Sequence, residues 1–183
     1  MNEEEIRKVV RERYAKIVKP NSSCCTPAKS CCGSTNLTQE ISKKIGYTEE
    51  ELEAVPEGAN LGLGCGNPVA LASLKEGETV LDLGSGAGFD CFLAASRVGD
   101  KGRVIGIDMT PEMLEKARDN ARKGNYANVE FRLGDIENIP AADSSVDVVI
   151  SNCVIDRKST RLKLQSHLNL VCRDLHEKKI WGG

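Results

Sequence analysis

The chain has 183 residues, of which 40% are hydrophobic, 28% charged and only 4% aromatic, and its formal net charge is −2. That length supports one domain with a real core, and no apolar run approaches the roughly 20 residues of a membrane span. The charge is uneven: from Arg157 onward seven Lys/Arg face two acids, whereas residues 1–156 hold 18 basic and 25 acidic groups, so the body has no basic stripe suited to nucleic acid.

Residues 3–19 place Ile6, Val9, Val10 and Ile17 at helical spacing, which predicts an amphipathic helix ending near Pro20. The start, Asn2-Glu3-Glu4-Glu5, does not read as a signal peptide, and a soluble cytoplasmic protein is expected. Residues 20–38 are Ser, Thr, Pro, Gly and Cys and predict a loop. A short helix fits 38–45, and Thr48 with Glu51 has capping-box spacing for the next, which ends before Pro56. Gly58 to Gly66 is irregular, and Asn67-Pro68 then starts a helix running to about Leu74. From Glu78 the order becomes regular: strand 79–83, helix 88–97, strand 103–107, helix 111–123 with Thr110 as cap and Gly124 as stop, strand 129–133 and strand 146–151. Strands alternating with helices predict a parallel α/β sheet. After Ile155 nothing reads as a further strand.

Val80-Leu81-Asp82-Leu83-Gly84-Ser85-Gly86-Ala87-Gly88 is a strand running into a glycine turn that opens a helix. Such a turn lets backbone N–H groups approach a polar or anionic ligand at a helix N-terminus. A dinucleotide fingerprint has its third glycine where this chain has Phe89. The acid Asp82, two residues before the first glycine, resembles the form found in S-adenosylmethionine-dependent methyltransferases. That cofactor has no pyrophosphate, and its ammonium group needs acceptors. Asp108, 20 residues after Gly88, is placed for both ribose hydroxyls, and in Gly134-Asp135-Ile136 the acid can accept from the adenine amino group while Ile136 flanks the ring. An ordinary strand-end acid at 82 and a helix cap at 108 are the plainer alternatives, with a dinucleotide oxidoreductase as the rival enzyme.

Eight cysteines stand at 24, 25, 31, 32, 65, 91, 153 and 172, and both histidines, His167 and His176, lie in the tail. Cys153 follows the last predicted strand, and Cys65 precedes a helix N-terminus that favours thiolate. Two thiolates facing a sulfonium methyl point to a thiophilic acceptor. Trivalent arsenic fits, because it binds thiolates, keeps a lone pair and needs no general base. Cys91 reads as packed rather than reactive.

The stretches Gly58 to Pro68, Val80 to Gly88 and Ser151-Asn152-Cys153-Val154-Ile155 resemble microbial arsenite methyltransferases, over about residues 1–155. The resemblance implies a Rossmann-like class I methyltransferase sheet, with about four of the usual seven parallel strands and a helical N-terminal extension. It divides the chain into N-terminal helices with a Cys-rich loop (1–57), an incomplete S-adenosylmethionine-binding domain (58–155) and a basic tail (156–183). It implies methylation of arsenite, or of its thiol conjugates, for arsenic detoxification by a monomer, with glutathione or thioredoxin as reductant and neither nucleic acid nor membrane as partner. Cys65 and Cys153 match arsenic-binding cysteines. Asp82, Gly84, Gly86, Gly88, Asp108, Met109, Asp135 and Ile136 fall on the cofactor pocket, and Asn152 lines the transfer site. The vicinal pairs Cys24-Cys25 and Cys31-Cys32 are read either as arsenite capture or as a reactive tail without fixed role.

The family pattern breaks at Asp156-Arg157-Lys158-Ser159, where the composition also shifts. An apolar edge at strand 146–151, weak cofactor binding and little complete activity are therefore expected. A methyltransferase for a quinone or lipid precursor and a non-catalytic metalloid-binding thiol protein remain the alternative functions.

Overall fold

The computed structural model describes residues 3–18, 34–152 and 169–173. In chain order the elements are α1 (Glu3–Val18), α2 (Ser34–Lys44), α3 (Glu49–Glu53), α4 (Pro68–Ala72), β1 (Thr79–Leu83), α5 (Phe89–Val98), β2 (Arg103–Asp108), α6 (Pro111–Lys123), β3 (Val129–Leu133), β4 (Val148–Asn152) and β5 (Asn169–Arg173). The expected α/β order holds from α2 to β4. Cys24, Cys25, Cys31, Cys32 and Cys153 lie outside the described residues, as does most of the segment after Asn152.

Local chemistry accounts for the helix ends. The Thr48 hydroxyl accepts from the Glu51 N–H while the Glu51 carboxylate accepts from the Thr48 N–H, a complete capping box on α3. Asn67 caps α4 through the Ala70 N–H, with Pro68 at the first helical position, and α4 stops at Ala72, before the expected Leu74. On α6, Pro111 opens the helix and Gly124 closes it, but the Thr110 hydroxyl makes no capping bond. The carboxylate of Asp108 instead accepts the Thr110 N–H at 2.8 Å.

The five strands form one sheet in the order β3-β2-β1-β4-β5. β1 pairs in parallel with β2 and with β4, and β2 with β3. β5 runs antiparallel to β4, with Val149 opposite Cys172 and Asn152 opposite Asn169. This corrects two expectations. The tail does supply a strand, and β4, which starts at Val148 rather than 146, is not an open edge because β5 satisfies its outer backbone groups.

Side-chain alternation divides the core between the sheet's faces. Val80, Val104, Phe131, Val148 and Ile150 point to one face, where they meet Cys91, Phe92 and Ala95 of α5 and Leu114 and Ala117 of α6. Leu81, Leu83, Ile105, Ile107 and Val149 point to the other, where Ile136, Ile139 and Val146 pack on them. α1 departs from its expected role. Its stripe of Ile6, Val9 and Ile17 stays 44–55% exposed, and Ala15 is the residue it buries.

Candidate functional site

The C-terminal ends of β1, β2 and β4 face a cleft of about 370 Å³, within the ~300–1,000 Å³ usual for small-molecule sites. Ligands of open α/β sheets gather at this edge, where successive strands hand over to helices. Gly84, Gly86, Asp108, Met109, Asp135 and Ile136 all line the cleft. So does Asn152. Asp82 and Gly88, also expected at the cofactor, are buried and not on the cleft wall.

The turn's geometry explains its composition. Gly88 has φ of +92°, and a Cβ there would lie 2.7 Å from Phe131 and 2.8 Å from Phe92, so a side chain is excluded twice over. The donors of the turn are turned inward. Gly84 and Ser85 N–H both donate to the Ile107 carbonyl at 2.7 and 2.9 Å, and Gly88 N–H donates to the Ser85 carbonyl at 2.9 Å. Gly86 N–H donates to Asp108 Oδ2 at 2.9 Å. The sequence-based expectation of a turn offering these N–H groups to a ligand therefore does not hold for these four. A pyrophosphate needs such donors. A cleft walled by the carboxylates of Asp108 and Asp135 suits a ligand that brings donors of its own.

Asp108 is partly exposed to the cleft. Burial raises its carboxyl above the usual range, and the N–H bonds from Thr110 and Gly86 oppose that rise. Asp82 is 2% exposed, and its Oδ2 accepts from the Cys91 thiol at 3.3 Å. Among the described residues its Oδ1 has no partner. Burial, followed by repulsion from Asp90, pushes the Asp82 carboxyl up. Burial and then the Asp82 charge push the Cys91 thiol up as well, so Cys91 is the packed, unreactive thiol expected.

Cys65 follows the segment Ala59–Gly64, which lines the cleft. Its N–H donates to Asn152 Oδ1 at 2.9 Å, joining this loop to the end of β4 one residue before Cys153. The Cys65 sulfur is held in a disulfide, so the thiolate expected from its place before α4 is not present in this form.

Some wall residues escaped the sequence reading. Arg7, Val10 and Tyr14 of α1 line the cleft, and Arg7 forms an ion pair with Glu137 on the loop after β3. Tyr47 and Asp90 line it too. No local pattern marks α1 for this role, since its contact with the loop spans 130 positions. Asp90 had one signal, an acid in the first turn of a helix that opens at the glycine turn.

A family profile described as "Methyltransferase domain" matches residues 74–180. The chain belongs to the methyltransferase-domain family. Among similar proteins, the arsenite methyltransferase of Halobacterium salinarum is 54% identical over 159 residues, covering 84% of this methyltransferase chain and 41% of that protein. The arsenite methyltransferase of Rattus norvegicus is 32% identical over 193 residues, covering 98% of this chain and 47% of that protein. The solved structure of CrArsM, an arsenic(III) S-adenosylmethionine methyltransferase from Chlamydomonas reinhardtii, is 40% identical, covers 62% of this chain and 39% of that one, and has a TM-score of 0.46. The chain spans less than half the length of the curated relatives named here.

Proposed function

We propose that this methyltransferase domain uses S-adenosylmethionine to methylate trivalent arsenic held by cysteine sulfur. The observation that carries the reading is the bond from the Cys65 N–H to Asn152, which sets a cysteine loop beside the carboxylate-walled cleft. The likeness to arsenite methyltransferases supports it.

The cleft's chemistry suits that cofactor, which supplies an electrophilic methyl on a sulfonium. Asp108 still has lone pairs for ribose hydroxyls beyond the two N–H bonds it accepts. Asp135 would accept from the adenine amino group, and Ile136 and Met109 on the same cleft would supply apolar surface for the ring. Asp82 is buried and off the cleft wall, and by accepting from the Cys91 thiol it ties α5 to β1. Cys65 and Cys153 hold the arsenic. No described group on the cleft need take a proton, because the arsenic lone pair is the nucleophile. Alignment is the protein's main contribution, and orientation can be worth ~7–11 kcal/mol.

A disulfide at Cys65 cannot hold arsenic, so two electrons and two protons from a thiol reductant such as glutathione or thioredoxin must first open it. Cytoplasmic placement and arsenic detoxification belong to the same proposal.

Calorimetry on the full chain, reduced with a phosphine, tests the reading. Both S-adenosylhomocysteine and arsenite should bind the native chain, and Cys65→Ser should lose arsenite while keeping the nucleoside. Arsenite binding that survives Cys65→Ser, or no arsenite binding at all, overturns the arsenic assignment and leaves an organic acceptor as the better reading.

A further inference from the structure

The carboxamide of Asn152 sits in a cage that fixes which way it points. Its Nδ2 lies 3.0 Å from the Gly66 carbonyl, 3.0 Å from Asp90 Oδ2 and 3.1 Å from the Tyr47 hydroxyl oxygen. A carboxamide nitrogen has two hydrogens and no acceptor capacity. The Gly66 carbonyl and the Asp90 carboxylate can only accept, and the Tyr47 hydroxyl proton is committed to Asp90 Oδ1 at 2.6 Å, leaving the Tyr47 oxygen as an acceptor too. Each of these three described neighbours of Nδ2 is therefore an acceptor. Turning the amide over would set Oδ1 against all three and leave the Cys65 N–H facing a donor. Only one orientation satisfies the cluster, and it presents Oδ1 to Cys65.

Space reinforces charge. A Cβ on Gly64 would lie 2.9 Å from Asn152 Nδ2, so the loop backbone runs directly against the amide. The ring of Tyr47 packs edge-on against Phe89, with centroids 4.8 Å apart, which holds its hydroxyl at Asp90. Asp90 occupies the first turn of α5, where the helix N-terminus favours a carboxylate. It is 7% exposed, and both oxygens receive a donor.

We infer that Asp90 and Tyr47 are positioning residues which, through the carboxamide of Asn152, hold the Cys65 backbone against the cofactor cleft. Neither touches the arsenic. Asp90 orients Asn152, Tyr47 braces Asp90, and Asn152 sets where the Cys65 sulfur stands relative to the methyl. The inference deepens the proposed function and rests on Cys65 being the arsenic-holding residue.

The test uses the full chain, phosphine-reduced, as native, Asp90→Asn and Tyr47→Phe forms. Three quantities are read: hydrogen exchange at the Cys65 amide, affinity for S-adenosylhomocysteine and affinity for arsenite. In Asp90→Asn the new amide opposes the Asn152 Nδ2 with a donor or withdraws its acceptor from Tyr47. The Cys65 amide should exchange ~10–100-fold faster and arsenite affinity should fall about tenfold, the scale of a lost hydrogen bond to a charged group. Nucleoside affinity should fall by clearly less than arsenite affinity: Asp90 and Tyr47 both line the cleft, but the turn and Asp108 are untouched. Tyr47→Phe should move the same two readings, by less. A residue needed only for folding would weaken both ligands alike and deprotect the Val104 amide in β2. If Asp90→Asn deprotects Val104, the milder Tyr47→Phe decides on the same readings.

Loss of nucleoside affinity with the Cys65 amide still protected would make Asp90 a cofactor contact and overturn the inference. So would an unchanged Cys65 amide in both variants. If no form binds arsenite while Cys65 exchange still accelerates, the positioning role stands and the arsenic assignment falls.

Discussion

The two faces of the sheet solve different problems, and β3 displays both along one strand. Val129 and Phe131 point to the face covered by α5 and α6, whereas Glu130 and Arg132 point to the other. On the helix-covered face the sheet buries aromatic and aliphatic side chains together with the acids Asp82 and Asp90 and the thiol of Cys91. On the opposite face a smaller apolar group lies under residues of the β3–β4 connection, and the charged trio of Arg103, Glu130 and Arg132 occupies the β3 side. A well-packed cover tolerates little change of volume, and it can hold buried polar groups because their partners are fixed. The helix-covered face holds the larger apolar cluster and the buried acids Asp82 and Asp90, whereas the opposite face buries the Ser151 hydroxyl on the Leu83 carbonyl.

The largest effect expected is from Phe92→Ala. Phe92 is fully buried and meets Tyr126 and Phe131 at centroid distances of 4.6 and 5.9 Å. Its truncation should cost ~3–5 kcal/mol in urea unfolding. Ile105→Ala on the opposite face should cost nearer ~2 kcal/mol, because a loop-covered site collapses more readily around the gap. Equal losses would show that both faces are packed alike. Gly106→Ala tests the covered face by addition: a Cβ there would lie 2.7 Å from Phe131 and 2.8 Å from the Cys91 sulfur, and overpacking of this kind costs ~1–3 kcal/mol.

Acid sharpens the contrast further. Burial pushes the Asp90 carboxyl up to about 6, partly offset by the hydrogen bonds from Tyr47 and Asn152, with Glu51 raising it further. Asp82 is raised by burial and by Asp90. A carboxyl whose folded pKa exceeds its unfolded value binds protons more tightly when folded. Its stabilising contribution is complete below the unfolded value of 3.8 and is lost as pH rises through about 6. Thermal midpoints should therefore rise between pH 7 and pH 5 relative to Asp90→Asn, in which this slope is reduced. A parallel pH profile in the variant would count against a buried, titrating Asp90. The smallest effect belongs to the opposite face. Arg103→Ala should cost only about 0.2–1 kcal/mol in 0.1 M salt, because its partner Glu130 is 39% exposed and such pairs are weak.

Much of the covered face was legible in the residue pattern, because its determinants are local. Thr48 with Glu51, Asn67-Pro68 and Pro111 to Gly124 each mark a helix end through groups within a few residues of it. The glycine turn was legible for the same reason. What escaped depends on contacts distant in sequence. The engagement of the Gly84 and Ser85 donors by Ile107 depends on β2 lying beside β1. The role of Asp90 depends on Asn152, 62 positions away. α1 carries an apolar stripe that does not pack, and its Arg7 meets Glu137 through tertiary placement alone. β5 has only the three-residue apolar run Leu170-Val171-Cys172, too short to mark a strand alone, and its pairing with β4 gives it form.

The inward-turned donors of the glycine turn carry a consequence for recognition. Gly84, Ser85, Gly86 and Gly88 are braced by Ile107, Asp108 and Ser85 before any guest arrives. The entropy of stiffening that rim is surrendered when the chain folds, and it is not charged again at each encounter. Preorganisation of this sort removes a term that ordinarily subtracts from small-molecule affinity.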